Sequence, residues 1–503
     1  MGGQCSAAAH VGYQRRRPER SVLHQIVSQH VQTLWAEAEP ASGFGYPSWV
    51  RHEFERYLGC GLLPGGFTRL RCRGCGCERL VGFSCKGRLC PSCVARRMAD
   101  LALHLVDHVL PSAPYRQWTL TFPYPLRLRL AREPELLSTV LSDLLCSVFR
   151  WQRLQARRAG VKAPLAGAVT CVQLWGSLLQ LTPHFHAWLP DGVFSQQADG
   201  SLRFLRLPPP TAADLERLPQ RVAARVMARF DPDQDVEPDL PDDERAVAAA
   251  QAESLHLPAA AFAPSTEPVR RRPLCAARDG FTLHADLAIA AADRAGLERA
   301  LRYGLRPPLS QKRLSLTPAG KVCLSLRKPL ASGRSQLLFE PVAFLRRLAA
   351  SLPRPRQNMI RFHGIFAPRA AARSRLAELL PLPPAPPPSL RVHPASAHGT
   401  GLPLLAALSH DEARPPVPLP YRRPWAELLK RIHDHDVLRC PRCDKRMVPV
   451  QTVKDPCVIR KILNHLGLPS ELPPVAPPRA PPQQTFDLDA PFDDELFELP
   501  FEV

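Results

Sequence analysis

No stretch of this 503-residue chain approaches eighteen uninterrupted apolar residues, which excludes a membrane-spanning helix, and no membrane partner is expected. The opening, MGGQCSAAAHVGYQRRRPER, lacks an apolar core followed by a cleavage site. No secretory leader is therefore expected, and the expected setting is cytoplasmic, with reduced cysteines. A G-x-x-x-x-G-K-[ST] loop is missing, so no P-loop ATP site is expected. Internal repeats are absent. Tyrosine is scarce, with seven in the whole chain. Acid is short relative to base: 46 Asp and Glu face 66 Lys and Arg, a formal net charge of +20. A GC-rich genome, in which arginine and proline are abundant, accounts for arginine over lysine but less easily for the size of that surplus, which points to a polyanion, most often nucleic acid.

Cysteine, by contrast, is plentiful. Seven of the fifteen fall between Cys60 and Cys93, spaced as Cys60, Cys72-x2-Cys75, Cys77, Cys85 and Cys90-x2-Cys93. A C-x-x-C turn points both sulfurs inward, and two such knuckles complete a tetrahedral zinc. The expected set is Cys72, Cys75, Cys90 and Cys93, which leaves Cys60, Cys77 and Cys85 as ligands of a second zinc. Such zinc is structural, stapling a Gly-rich segment with too few apolar residues for its own core. A disulfide framework is the competing reading, and a reducing compartment argues against it. Further on, Cys440-x2-Cys443 is half a site; His433, His435, Cys457 or His465 are candidates to complete it, and spacing does not choose. Cys5, Cys146, Cys171, Cys275 and Cys323 read as small apolar residues. Arg71, Arg73, Arg96 and Arg97 surround the first knuckles and suit phosphate contacts.

The run TPHFHAWLPDGV reads as a strand, so His184 and His186 project together while Phe185 and Ala187 face the other way. Alone, the pair is either half a metal site or a polar face. Downstream, LRYGLRPPL puts Tyr303 at the end of a short helix between Arg302 and Arg306, and Pro307 and Pro308 stop that helix. Guanidinium groups favour negative charge on a phenol oxygen that attacks phosphorus, and two imidazoles can hold a divalent cation against phosphate oxygens. Together these are the parts for cutting a DNA strand by transesterification. The competing reading of Tyr303 is an aromatic packed on a sheet.

H-hydrophobic-H followed by a helical tyrosine resembles the HUH single-strand DNA endonucleases. VGFSCKGRLCPSCVARRMADLALHLVDHVLPSAPYRQWTLTFPYPLR, GFTLHADLAIAAADRAGLERALRYGLRPPLSQKRLSLTPAGKV, RFHGIFAPRA and DVLRCPRCDKRMVPVQTVKDPCVIRKILNHLGLP resemble, more narrowly, bacterial rolling-circle transposases of the IS91 type. The likeness spans roughly residues 50–380 and 421–469. It implies an α+β fold with an N-terminal zinc-binding domain and an HUH-type antiparallel sheet, the histidine strand central and helices on one side. It implies His184 and His186 as ligands of catalytic Mg²⁺ or Mn²⁺, Tyr303 as nucleophile and Arg306 on the scissile phosphate. His284 is the expected third ligand and Glu298 the second choice. The partners implied are single-stranded or hairpin DNA at element ends, target DNA, and the host replication machinery, with the protein at the nucleoid. One helical turn after Tyr303, where two-tyrosine members carry their second, stands Pro307, so the single-tyrosine branch is expected. The loop CKGRLC is one residue shorter than usual, and Cys77 stands where histidine is common. A plasmid replication initiator or mobilisation nuclease would share the chemistry; a zinc protein that binds DNA without cutting is the non-enzymatic alternative.

The segments expected are a helical arm at 1–50, the zinc-binding DNA-binding domain at 51–110, and the catalytic domain at 111–376 with a loose helical insertion at 208–272. A Pro-rich linker at 377–420, a small module at 421–469 and a disordered acidic tail at 470–503 complete the chain.

Overall fold

The structure, a computed structural model, describes residues 17–229, 242–256, 274–307, 309–330, 333–380, 424–433 and 436–479. Alternation decides its central sheet. Along Tyr115–Thr121 and Leu181–Pro190, successive side chains take opposite faces. Trp118, Leu120, Phe185, Ala187 and Leu189 share one buried face. Register then aligns Thr119 with His186 and Thr121 with His184 on the other. Seven antiparallel strands make the sheet, in the order Ile360–Gly364, Gly167–Trp175, Leu181–Pro190, Tyr115–Thr121, Phe281–His284, Cys275–Arg278, with the short Ala288–Ile289 also beside Tyr115–Thr121. The histidine strand is interior, so both its neighbours contribute to the site.

Helices cover both faces, not one. Pro134–Arg158 begins with proline, whose missing N–H costs nothing in a first turn. Its stripe of Leu137, Val140, Leu141, Leu144 and Val148 packs on the wholly apolar face together with Leu126–Arg132 and Ala212–Met227. Ala212–Met227 belongs to the expected insertion, yet Leu215, Leu218, Val222 and Val226 lie in the main core. On the opposite face, Pro91–His108 and Arg294–Gly304 bury Leu105, Val106, Leu297 and Leu301 against Tyr115, Val169 and Trp188. These two helices carry apolar stripes of their own, which this half of the sheet covers. The other half, around the histidines, stays polar.

The first helix, Val22–Ser42, is more than an arm: Leu23, Val27 and Leu34 share a core with Phe344, Leu345 and Leu348 of Pro341–Ala350. Nor is the C-terminal segment a separate module. Its strand Met447–Val453 pairs antiparallel with Phe67–Cys72, which in turn pairs with Glu78–Gly82. Ile459 and Leu463 of Pro456–His465 bury against Leu63 and Phe67. Cys5, Pro308, most of the Pro-rich linker, the acidic tail from residue 480, His435 and the side chain of His433 lie outside the described residues. Among the described residues, no helix is long and apolar enough to cross a membrane.

Candidate active site

The two imidazoles meet at the polar end of the sheet, ring centroids 4.9 Å apart. His184 donates from Nδ1 to the Thr182 carbonyl at 2.7 Å, which leaves the Nε2 lone pair available. Around His186, the Gln117 carboxamide and the Thr119 hydroxyl close on Nδ1 at 2.8 and 3.1 Å. Gln117 Oε1 has no partner. With the carboxamide turned to present that oxygen, Nδ1–H donates to it and the buried, partnerless Nε2 of His186 keeps its lone pair. Burial pushes His186 down to about 3, helped by His184 and Arg306, and lowers His184 as well. Both rings are therefore neutral at physiological pH, the form that ligates a metal. Two neutral imidazoles with ring centroids 4.9 Å apart are the donor type that suits a divalent cation.

Tyr303 stands over this pair. Asp293 caps its helix by accepting from the Gly296 N–H at 2.7 Å. With Leu297, Ala300, Leu301 and Gly304 buried along one side, Tyr303 is left 49% exposed. Its ring lies edge-on to His186, centroids 6.3 Å apart. The helix end sits flat on the sheet because residue 304 is glycine: a Cβ there would fall 2.2 Å from Trp188. Cys171 Sγ, at 3.1 Å, and Gln173 Nε2 both donate to the Gly304 carbonyl. The guanidinium of Arg306 stacks 3.8 Å from the Tyr303 ring centroid, and its buried Nη1 has no partner. A buried cationic donor without an acceptor, beside an exposed phenol, suits a phosphate oxygen. Next to it opens a cavity of about 400 Å³ whose lining includes Arg88, Arg97, Gln173, Trp175, Arg306 and Met359.

The structure does not bring the expected third ligands to the pair. His284 is level with His186, but Thr119 stands between them, opposite one across one strand and the other across the next. Two strand spacings put their Cα atoms about 9–10 Å apart, and the ring nitrogens of His284 do not converge with those of the pair. Glu298 is buried against Arg302, at 3.8 Å, and against Arg431, so its carboxylate is engaged elsewhere. Among the described residues, no third His, Cys, Asp or Glu donor converges with the pair within 4.8 Å. Sequence reasoning misses Gln117, Thr119, Cys171 and Gln173, which hold the histidines and the tyrosine helix. Their signal is the same alternation that pairs the histidines: QWTLT and CVQ carry polar or small residues at every second position.

The cysteines regroup. Cys60, Cys85, Cys90 and Cys93 converge, with three Sγ···Sγ separations of 3.6 Å. A tetrahedron with Zn–S near 2.3 Å has edges of about 3.8 Å. Backbone N–H groups of Cys85 and Gly87 donate to Cys60 and Cys85 sulfurs at 3.3 and 3.2 Å. Cys60 follows the helix Ser48–Leu58, and Cys90 and Cys93 open Pro91–His108, so packing of those helices brings the three together. Cys72, which ends the strand Phe67–Cys72, and Cys75, in the turn after it, converge with Cys440 and Cys443 instead. The expected set Cys72, Cys75, Cys90 and Cys93 is thus divided between two clusters, and Cys77 joins neither. Of the residues weighed to complete Cys440-x2-Cys443, Cys457 and His465 lie exposed on Pro456–His465, outside the cluster.

Two comparisons bear on this arrangement. Residues 26–122 match the family model of the transposase zinc-binding domain of IS91 type, and residues 167–374 match a family model described as a putative transposase. The first contains Cys60, Cys85, Cys90 and Cys93; the second contains His184, His186 and Tyr303. No curated protein and no solved structure matches the chain. The zinc-binding match and the converging thiols make zinc a structural element here.

Proposed function

The chain belongs to the IS91-type transposases and acts on DNA, and from that premise we propose that Tyr303 cuts one DNA strand at the element ends by transesterification. The observation that carries this reading is the exposed Tyr303 ring between His186 and an Arg306 whose buried Nη1 lacks an acceptor. Single-stranded or hairpin DNA enters past Arg88 and Arg97, and an unstacked base occupies the cavity of about 400 Å³. Arg306 binds the scissile phosphate. The Tyr303 oxygen attacks phosphorus in line; the new O–P bond replaces the P–O3′ bond, and the phenol proton ends on the departing 3′ oxygen. The products are a 5′-phosphotyrosine and a free 3′-OH, which primes host replication in a rolling-circle cycle. Bond energy is conserved, so no ATP is consumed.

His184 and His186 would hold the divalent cation, Mn²⁺ or Mg²⁺, through Nε2; when bound it polarises the phosphate and offsets developing charge. Among the other described tyrosines, Tyr46, Tyr57 and Tyr115 are buried and Tyr124 is bonded to His256, which supports a single-tyrosine mechanism. The test is incubation with labelled single-stranded DNA of the element ends and Mn²⁺ or Mg²⁺, alongside Tyr303→Phe. A denaturant-stable adduct in the parent alone is expected. An adduct that survives Tyr303→Phe moves the nucleophile elsewhere; tight binding without any adduct favours a DNA-binding protein that does not cut.

A further inference from the structure

We propose that Cys72, Cys75, Cys440 and Cys443 form a second, tetrathiolate zinc site, which locks the C-terminal segment onto the N-terminal sheet and through it braces the tyrosine helix. The sulfurs approach across the chain, Cys72 to Cys443 at 3.4 Å and Cys75 to Cys440 at 3.5 Å. Those separations match the edge of a ZnS₄ tetrahedron, not the roughly 2.05 Å of a disulfide.

The two loops are the same turn made twice. Cys72 N–H donates to the Cys77 carbonyl at 2.8 Å, and Cys440 N–H to the Lys445 carbonyl at 2.9 Å, five residues on in each case. Gly76 N–H returns to the Cys72 carbonyl at 2.9 Å and Asp444 N–H to the Cys440 carbonyl at 3.0 Å. The residue after the second cysteine is left-handed in both, Gly76 at φ +72° and Asp444 at φ +62°. Two equivalent knuckles facing each other supply four ligands with no remainder. Strand pairing ends at Cys72 opposite Met447, which sets the knuckles side by side; Cys72, Cys440 and Cys443 are packed with Leu70 and Met447, while Cys75 lies exposed on the outer side.

The same assembly reaches the tyrosine. Arg79 donates to the Val437 carbonyl at 2.9 Å, just before the C-terminal knuckle, and Trp425 packs in the cluster that holds the thiols. Trp425 begins the helix Trp425–His433, whose Arg431 grips the buried Glu298 five residues before Tyr303 on the same helix. The site itself stands apart from the proposed nicking chemistry; only the meaning of the brace rests on it.

Zinc counted by elemental analysis on the full-length protein is expected at two per chain, and at one in Cys440→Ser/Cys443→Ser. One zinc per chain in the parent overturns the site without any variant, as does an unchanged count in the double variant. Co²⁺-loaded parent protein should lose about half its thiolate charge-transfer absorption in the double variant. Hydrogen exchange should quicken over 67–72, 447–453 and 294–304 in the double variant. Arg431→Ala should keep both zincs and loosen 294–304 alone; unchanged exchange there refutes the brace. None of these measurements reads nicking, so failure of the nuclease reading leaves them intact.

Discussion

Replacing Gly304 by alanine adds one methyl group where none fits. The new Cβ falls 2.2 Å from Cη2 and 2.6 Å from Cζ2 of Trp188, against ordinary contacts that begin at 3.4 Å. Trp188 is wholly buried and cannot turn away, so the helix end must lift by about 1.2 Å. Lifting it strains the bonds from Cys171 and Gln173 to the Gly304 carbonyl and carries Tyr303 off its position. Displacing a reacting group by about 1 Å costs on the order of 10²-fold in rate. Stability changes less. Overpacking costs about 1–3 kcal/mol, inside the roughly 5–15 kcal/mol by which native proteins are stable, so the variant stays folded. The assay is single-turnover formation of the covalent adduct, with Tyr303→Phe as the dead reference and a thermal melt for the fold. The expected result is a rate near one hundredth of the parent's with a modestly lowered Tm. A Gly304→Ala protein that reacts within threefold of the parent refutes the argument that this seat positions the tyrosine.

Two further outcomes follow from buried charge. Arg116, 5% exposed, is held by Asp191 through paired bonds of 2.9 and 2.8 Å, so Asp191→Ala strands a buried guanidinium. A loss of about 3–5 kcal/mol is expected in denaturant unfolding, and a loss under about 1 kcal/mol would contradict it. Burial lowers His186 to about 3 and His363 to about 4, below the ordinary 6.5. Between those limits the unfolded chain takes up protons that the native protein does not. Stability is therefore complete above pH 6.5 and falls as pH drops, by up to about 1.4 kcal/mol per pH unit for each histidine. Urea midpoints from pH 7 to 5 measure it; a midpoint that rises with acid sinks the reading.

Local pattern makes much of the catalytic region legible in the sequence. Alternation puts His184 and His186 on one face, and helical periodicity puts Tyr303 near the end of a short helix. Partnership over distance is not legible. A C-x-x-C spacing encodes a knuckle but carries nothing about which other knuckle it meets. Proximity in the chain therefore matches Cys72 and Cys75 with Cys90 and Cys93, and not with cysteines some 365 residues away. His284 looks like a ligand because its strand is recognisable, whereas the strand standing between it and His186 is a matter of sheet order. Leu215, Leu218, Val222 and Val226 do carry helical periodicity, but flanking Pro- and Asp-rich sequence draws that helix into an apparent insertion. The second layer of helices escapes for the same reason: an apolar stripe says that a helix is covered, not by which face of a sheet.

The pairing of Phe67–Cys72 with Met447–Val453 also imposes an order on synthesis. The early strand leaves the ribosome with one edge open, and its partner follows about 380 residues later. At roughly 5–20 residues per second that interval is about 20–75 s. For that time the nascent chain carries an unpaired strand edge, the feature most prone to pairing with another molecule. A product released before Met447–Val453 is made keeps that edge open for good, and the later strand is what closes it.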